Sequence, residues 1–348
     1  MSGIVGQDLP VEAKTAQDKN AWRAIVARYQ GSDVARSVFQ IATTLVPLAI
    51  AFVVMHWSLG VSYWLTLLLS LPTAGLLVRT FIIMHDCTHG SFLPSRRWND
   101  LVGYVTGVLT LTPYDQWRRD HALHHASSGD LDRRGHGDIN TLTVREYLAL
   151  DSWGRFKYRL FRHPLTLLGL GPLHLMVNQR FRAGGTTATK DKQVRSVWMT
   201  NLGIVIGIAF FGYLFGFRDV LMIYLPSIYL AGMGGVWLFY VQHQFEDAYW
   251  EPHENWDYVT SAIAGSSYFK MPAVLQWFTG SIGLHHVHHL GPKIPNYRLQ
   301  RAHDENPLFH DVTVITLAHT RRLLRLTLWD EEQKRLVRFR DVHTSAMR

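Results

Sequence analysis

From Ser37 to Met84 the chain carries one charged side chain, Arg79, and from Val197 to Phe217 and again from Val220 to Phe245 it carries none. A helix crossing the hydrocarbon core of a bilayer needs about 20 apolar residues. The first stretch therefore accommodates two crossings, at about residues 37–56 and 61–83, with His56-Trp57-Ser58-Leu59-Gly60 as the turn. The other two stretches give one crossing each, at about residues 197–216 and 220–241, joined at Phe217-Arg218-Asp219. Buried helices of a large soluble protein normally keep a polar face, and these do not. Composition agrees: of 348 residues 47% are hydrophobic and 18% charged, below the roughly 25% charged residues of soluble chains. The fold class expected is all-α and integral to the membrane, with four transmembrane helices arranged as two hairpins.

Residues 1–36 are polar and charged, with no apolar run after a basic start, so they read as a cytosolic segment rather than a cleaved leader. Lys and Arg fall in three blocks: 5 in residues 1–36, 16 in residues 85–196 and 12 in residues 242–348, out of 35 in all. The positive-inside tendency places all three blocks in the cytoplasm. The formal net charge of +8 comes from residues scattered beside membrane segments, not from one basic stripe. That distribution suits anionic headgroups or an acidic electron-donor protein and excludes a nucleic-acid partner. Two apolar runs, Leu101 to Thr112 and Leu165 to Val177, are too short for a simple crossing and read as interfacial or re-entrant helices. Gly184-Gly185-Thr186-Thr187 reads as a loop before the third span, and the arginines between Arg321 and Arg340 as one face of an amphipathic C-terminal helix. The domain plan is then 1–36, a membrane unit over 37–310, and a basic cytosolic segment over 311–348.

The single cysteine, Cys87, rules out a disulfide framework and any four-cysteine metal site. The 19 histidines supply what cysteine does not. His85 and His89 form H-x-x-x-H, His121, His124 and His125 form H-x-x-H-H, and His285, His288 and His289 repeat that second spacing. Residues at i, i+3 and i+4 share a helical face, so each box can turn its imidazoles to one place. His243, at the end of the fourth span, makes a ninth. All nine come from the cytoplasmic ends of spans or from cytoplasmic segments, so they can meet in one cytosolic helical region capping the hairpins. Nine imidazoles are too many for one ion and suit two.

Zinc sites use three or four protein ligands, and no H-E-x-x-H is present. A carboxylate-bridged bundle would use Glu-x-x-His pairs, and no glutamate has histidine three residues later. Imidazole also suits iron, so the pattern points to a histidine-rich di-iron site. A redox pair of this kind, using dioxygen at a membrane surface, could attack an unactivated C–H bond of a lipid.

The runs Met84-His85-Asp86-Cys87-Thr88-His89-Gly90-Ser91-Phe92 and Trp117-Arg118-Arg119-Asp120-His121-Ala122-Leu123-His124-His125 closely resemble those of membrane fatty acid desaturases. The third box, entered from Gln276-Trp277-Phe278-Thr279-Gly280-Ser281-Ile282-Gly283-Leu284 and followed by Pro295-Asn296-Tyr297-Arg298-Leu299-Gln300, resembles the Δ12 (omega-6) acyl-lipid branch, as do Gly137 to Tyr147 and Gln242-His243-Gln244-Phe245-Glu246. The likeness covers roughly residues 37–310. It implies an enzyme that uses two irons, dioxygen and two external electrons to remove hydrogen from adjacent acyl-chain carbons, leaving a cis double bond and water. The nine histidines match the family's metal-ligand positions.

Asp86, Asp130, Asp138 and Glu246 are candidates to accept a ligand imidazole's free N–H, and His286, about 100° round the helix from His285, is expected outside the ligand set. The branch commonly has asparagine where Ser281 stands. With no fused haem domain and no His-Pro-Gly-Gly motif, the electrons are expected from a separate ferredoxin or cytochrome b5 with its reductase. Trp117, Tyr268, Trp277 and Phe278 are candidate tunnel residues, while His56, His136, His163, His174, His253, His303, His310, His319 and His343 read as interfacial, surface or packing residues. Two rivals share the boxes: a hydroxylase or carotenoid-modifying enzyme of the same chemistry, and a histidine-rich metal transporter or sensor. The second is disfavoured because transporters place their ligands within the bilayer.

Overall fold

A computed structural model describes residues 21–135, 139–181 and 187–342. Asp138, His136, His343 and Gly184-Gly185-Thr186 lie outside the described residues. Four helices are long and apolar enough to cross a membrane: Val34–Leu59, Tyr63–His89, Asp191–Phe215 within the helix Thr187–Phe215, and Phe217–His243. They are the four spans, and the chain is a multi-pass membrane protein.

The hairpin turns are tighter than the sequence suggested. The first span runs through His56 to Leu59 before the break at Gly60, so the intended turn is helical. Between the third and fourth spans only Gly216 leaves the helix, at φ +89°, a conformation that lacks a steric penalty only for glycine. Arg218 and Asp219 therefore belong to the first turn of the fourth span. Asp219 there favours the positive end of the helix dipole and lies 3.6 Å from His56 Nδ1 of the first hairpin.

The second span is the axis of the bundle. It packs against the first and fourth spans and the helix Arg96–Leu109, and more than half of its most apolar stretch is buried, against about a fifth for the other three. It also runs six residues past the expected end at 83, and that extension carries His85 and His89.

Both short apolar runs enter the bundle. The helix Arg96–Leu109 reaches the fourth span, where Tyr224 Oη donates to Leu109 O (2.9 Å), then turns back at Leu111, φ +54°. The second run is a π-helical turn, Thr166–Leu170, leading into the helix Gly171–Phe181. Pro172 has no N–H and crowds the carbonyl four residues back, so the helix widens just before it. Tyr229 of the fourth span donates to Gly169 O (3.1 Å), and Arg180 bonds both Leu111 O and Asn201 Oδ1.

The remaining chain covers the ends of the second and fourth spans with short pieces. Strands β1 (Leu142–Thr143), β4 (Leu328–Asp330) and β5 (Arg335–Val337) form one sheet in the order β1-β4-β5; β2 (Tyr268–Phe269) pairs in parallel with β3 (Val314–Ile315). The C-terminal arginines are thus divided between the short helix Thr320–Leu323, the turn after it and the β-hairpin with its exit, not gathered on one amphipathic helix. The reason is local: Asp330 accepts from the backbone of Glu332 and Gln333 (3.0 Å each), Lys334 takes φ +47°, and Leu328, Trp329, Leu336 and Val337 are all buried.

Arg162 fastens these pieces to the membrane bundle. Its fully buried guanidinium donates to Asn140 O, Thr141 Oγ1, Tyr240 Oη, Gln244 Oε1 and Leu326 O at 2.9–3.1 Å. One side chain so joins β1, the fourth span and the C-terminal hairpin. Arg162→Met strands several buried acceptors, each costing about 1–3 kcal/mol. We expect a loss of roughly 3 kcal/mol or more, read as a lowered unfolding midpoint in detergent, with Arg162→Lys falling between Met and wild type.

Candidate metal centre

Three helical segments and the end of the fourth span deliver the nine histidines. The second span ends in His89, with Gly90 as its left-handed cap. The helix Tyr114–Ser127 carries the second box, and its first turn is fixed by Asp115, which bonds Arg118 (2.7 Å), Lys192 (3.2 Å) and Tyr104. The third box forms the short helix His285–Leu290. It is set against β2 by Gly283: a Cβ there would lie 2.4 Å from Phe269 O, so only glycine permits the approach.

The nine imidazoles meet. His85, His89, His121 and His288 form one group and His124, His243, His285 and His289 a second, with one nitrogen of each residue within 4.8 Å of those of its group. His125 stands between the groups, its Nε2 3.0 Å from those of His121 and His288 and its ring centroid 4.3 Å from that of His289. Each H-x-x-H-H helix serves both groups: His121 goes to the first and His124 to the second, as His288 goes to the first and His285 and His289 to the second. This follows from helix geometry, since positions three apart share a face but are displaced about one turn along it.

The far nitrogens set the tautomers. His85 Nδ1 lies 3.0 Å from Asp86 Oδ1, and His243 Nδ1 lies 3.1 Å from Gly265 O. Each must donate there, so each Nε2 presents a lone pair inward. His85 Nε2 is then 3.0 Å from His121 Nε2 and 3.1 Å from His288 Nε2, and His243 Nε2 is 2.9 Å from His285 Nε2. His89 Nε2 and His289 Nε2, one in each group, are buried with no hydrogen-bond partner among the described residues. Inward lone pairs with an orphaned nitrogen in each group are the donor set a metal ion requires, and both groups can hold one.

Burial, reinforced by neighbouring imidazoles, pushes His121, His125, His285, His288 and His289 well below the ordinary histidine range. These rings are neutral and ready to ligate at neutral pH.

The other candidates have distinct places. Asp86 touches His85 directly. Its second oxygen accepts from the backbone and side-chain nitrogens of Asn296 (2.7 and 2.8 Å), and Asn296 Oδ1 accepts from Gln40 Nε2 (3.1 Å). Asp130 instead accepts from Arg133 and from His253 (2.8 Å), and these with the Asp132 N–H hold it below its usual range despite burial. Glu246 pairs with Arg322 at 3.0 Å. His286 turns away from both groups toward His303 Nδ1 (3.3 Å), and burial, then His303, lowers it to about 3.

Trp117 stacks on His121 with centroids 4.2 Å apart, and Tyr268 packs beside His303. Trp277 lies under the Arg79 guanidinium, and Phe278 against Gly75 of the second span. Ser281 takes φ +60°, a left-handed position that suits the asparagine expected there better than serine. Asn296 and Gln40 were not anticipated. A backbone N–H freed at the start of the helix Asn296–Glu305, after Pro295, was the available signal.

The profile of the fatty acid desaturase family matches residues 61–316, most of the chain and all nine histidines. The chain belongs to the fatty acid desaturase family. A protein of Bacillus subtilis named fatty acid desaturase is 44% identical over 318 residues, 91% of this chain and 90% of that one. An endoplasmic-reticulum omega-3 fatty acid desaturase of Vigna radiata is 26% identical over 314 residues, 84% and 75% of the two chains. An sn-1 acyl-lipid omega-3 desaturase (ferredoxin) of Synechocystis is 26% identical over 233 residues, 64% and 62%. The protein is thus a fatty acid desaturase, an oxidoreductase.

The lowered histidines give this desaturase a pH signature once stripped of metal. Neutral imidazole is favoured in the folded state, whereas the unfolded chain protonates near pH 6.5. Stability is therefore fully present above that value and is lost as pH falls below it, by up to about 1.4 kcal/mol per histidine per pH unit. Metal-stripped protein should melt well below its pH 7.5 midpoint at pH 5.5; equal midpoints would contradict the burial assigned here.

Proposed function

We propose that this desaturase introduces a cis double bond into the acyl chain of a membrane lipid at a di-iron centre held by His85, His89, His121, His124, His125, His243, His285, His288 and His289. The observation that carries the reading is the pair of four-imidazole groups linked by His125. When bound, iron supplies the reduction of dioxygen that takes one hydrogen from each of two adjacent carbons. Balance requires dioxygen, two electrons and two protons in, and two waters out.

This chain's residues do the positioning. Asp86 and Gly265 O fix the tautomers of His85 and His243, and Asn296 with Gln40 holds Asp86 in turn. Phe239 packs on His124 and His243, with centroids 5.0 and 5.2 Å away, and keeps water from that side of the second group. The short apolar segments against the second and fourth spans supply walls for an acyl chain rising from the bilayer.

The motif flanks favour insertion beyond an existing double bond, of Δ12/omega-6 type. An omega-3 position is the second reading, since the Vigna and Synechocystis relatives carry that name. The name of the Synechocystis relative likewise favours ferredoxin over cytochrome b5 as donor. The distribution of Lys and Arg favours the cytoplasmic side for the histidines. Expression in a host fed defined monoenes, with double bonds located by mass spectrometry, is expected to yield a diene whose new bond lies toward the methyl end; hydroxylated chains alone would refute desaturation at this centre.

Ligand roles have their own test. His89→Ala and His289→Ala should each insert into the membrane yet lose iron and product. Asn296→Ala should weaken iron retention by roughly 10–100-fold, the loss expected for an outer hydrogen-bond partner. Iron per chain after dialysis against chelator reads all three.

A further inference from the structure

A basic groove lies where the cytosolic pieces meet the membrane bundle, about 390 Å³ in volume and lined by Arg159, His163, Pro164, Arg325, Phe339 and Arg340. Its charge is poorly compensated. The nearby carboxylate, Asp341, is already gripped by Arg338 at 2.8 and 3.1 Å and reaches Arg340 only at 3.7 Å. Arg325 is exposed and has no ion-pair partner among the described residues, and Arg159 rests on Tyr147 Oη (2.6 Å) and the Phe339 ring.

The groove borders an apolar surface that only a bilayer would cover. In the helix Ser152–Arg162, Trp153, Phe156 and Leu160 share one face, 61, 54 and 53% exposed, with Trp153 and Phe156 stacked. Arg155, Lys157 and Arg159 flank that face on the same helix, while Arg162 is buried within the protein; apolar residues flanked by cations are the pattern of a helix lying in the membrane interface. Leu165, directly after Pro164 of the groove, is 78% exposed. Within five residues of Pro164 the chain is already against the fourth span, at the Tyr229–Gly169 hydrogen bond. The groove therefore opens at headgroup depth.

We propose that this groove binds the phosphate of an anionic phospholipid in the surrounding leaflet, with the helix Ser152–Arg162 embedded beside it. Guanidinium groups match phosphate oxygens in geometry and charge. Pro164, Leu324 and Phe339 give the start of the acyl chains an apolar wall, which a soluble phosphate would not need. The site stands apart from both histidine groups and is independent of where the double bond is placed.

The test uses the full-length protein in nanodiscs of phosphatidylglycerol and phosphatidylcholine, with tightly held lipid counted by native mass spectrometry. Wild type is expected to retain phosphatidylglycerol in preference to phosphatidylcholine. Each arginine near the surface contributes roughly fivefold, so Arg159→Gln/Arg325→Gln/Arg340→Gln should lose that preference by on the order of a hundredfold. Arg325→Gln alone, which breaks no hydrogen bond of the fold, should lower it roughly fivefold. The corresponding lysine variants should keep most of it, and Arg218→Gln, in the first helical turn of the fourth span at its far end, should leave it unchanged. Equal retention of the two lipids by wild type, or an unaltered preference in Arg325→Gln, overturns the proposal. So does stabilisation by inorganic phosphate alone, in lipid-free detergent, that matches phosphatidylglycerol, since the groove would then take soluble phosphate.

Discussion

Inward-facing imidazole lone pairs are the constraint around which the rest of this molecule is arranged. A neutral imidazole has one donor and one acceptor. When Asp86 and Gly265 O claim the donors of His85 and His243, the acceptors converge on neighbours 2.9–3.1 Å away. Rings so placed cannot all satisfy one another, and burial denies them both water and a proton. A cation in each group would resolve the conflict, and metal binding would then be coupled to folding of the region around the histidines. The boxes alone would not enforce this; it is the fixed far nitrogens that leave the near ones without an alternative.

That centre also explains why so much chain outside the spans is irregular. Three box segments and the fourth span must approach one place from different directions, and long elements could not do so in the space available. The second span solves its share by extending past the apolar stretch to carry His85 and His89. The third box solves it by backing onto β2 through Gly283. The two-residue strands then act as staples: β2–β3 ties the third box to residues 314–315, and β1–β4–β5 ties the segment beyond the second box to the C-terminal hairpin.

The four spans were readable because a bilayer imposes a length and a composition that survive any tertiary detail, eight of the nine histidines because i, i+3, i+4 spacing needs nothing beyond a helix, and His243 because it ends a span. What was hidden is what depends on distant partners. Asn296 meets Asp86 across 210 positions, and Gln40 lies in a span whose sequence marks only an uncharged crossing. The arginines from Arg321 onward suggested a helix because their spacing is compatible with one, but Asp330 offers the backbone a turn and Leu328 and Leu336 find buried places only as a strand pair. Residue 218 was read as turn because it is charged, whereas the conformational freedom of Gly216 places the break two residues earlier.

Three buried or half-buried arginines, Arg79, Arg162 and Arg180, have no carboxylate partner among the described residues, and what they bond instead shows their common purpose. Arg79 reaches Trp277 O at the end of the helix Ala273–Phe278, Arg180 reaches Leu111 O where the first re-entrant run reverses, and Arg162 reaches Asn140 O and Leu326 O beside the sheet. Each carbonyl sits where a helix or strand stops; Trp277 O shares its guanidinium donor with one backbone N–H, from Gly280 (3.2 Å), and the other three have no backbone donor among the described residues. Buried in the protein or at membrane depth, such a group cannot turn to water, and leaving it unpaired costs up to several kcal/mol. A carboxylate on the same guanidinium would compete for those donors, so the missing counter-ion is part of the arrangement. Irregular backbone against the spans is therefore permitted by cations that serve as hydrogen-bond donors first, and that permission lets the segments outside the spans close over the histidines.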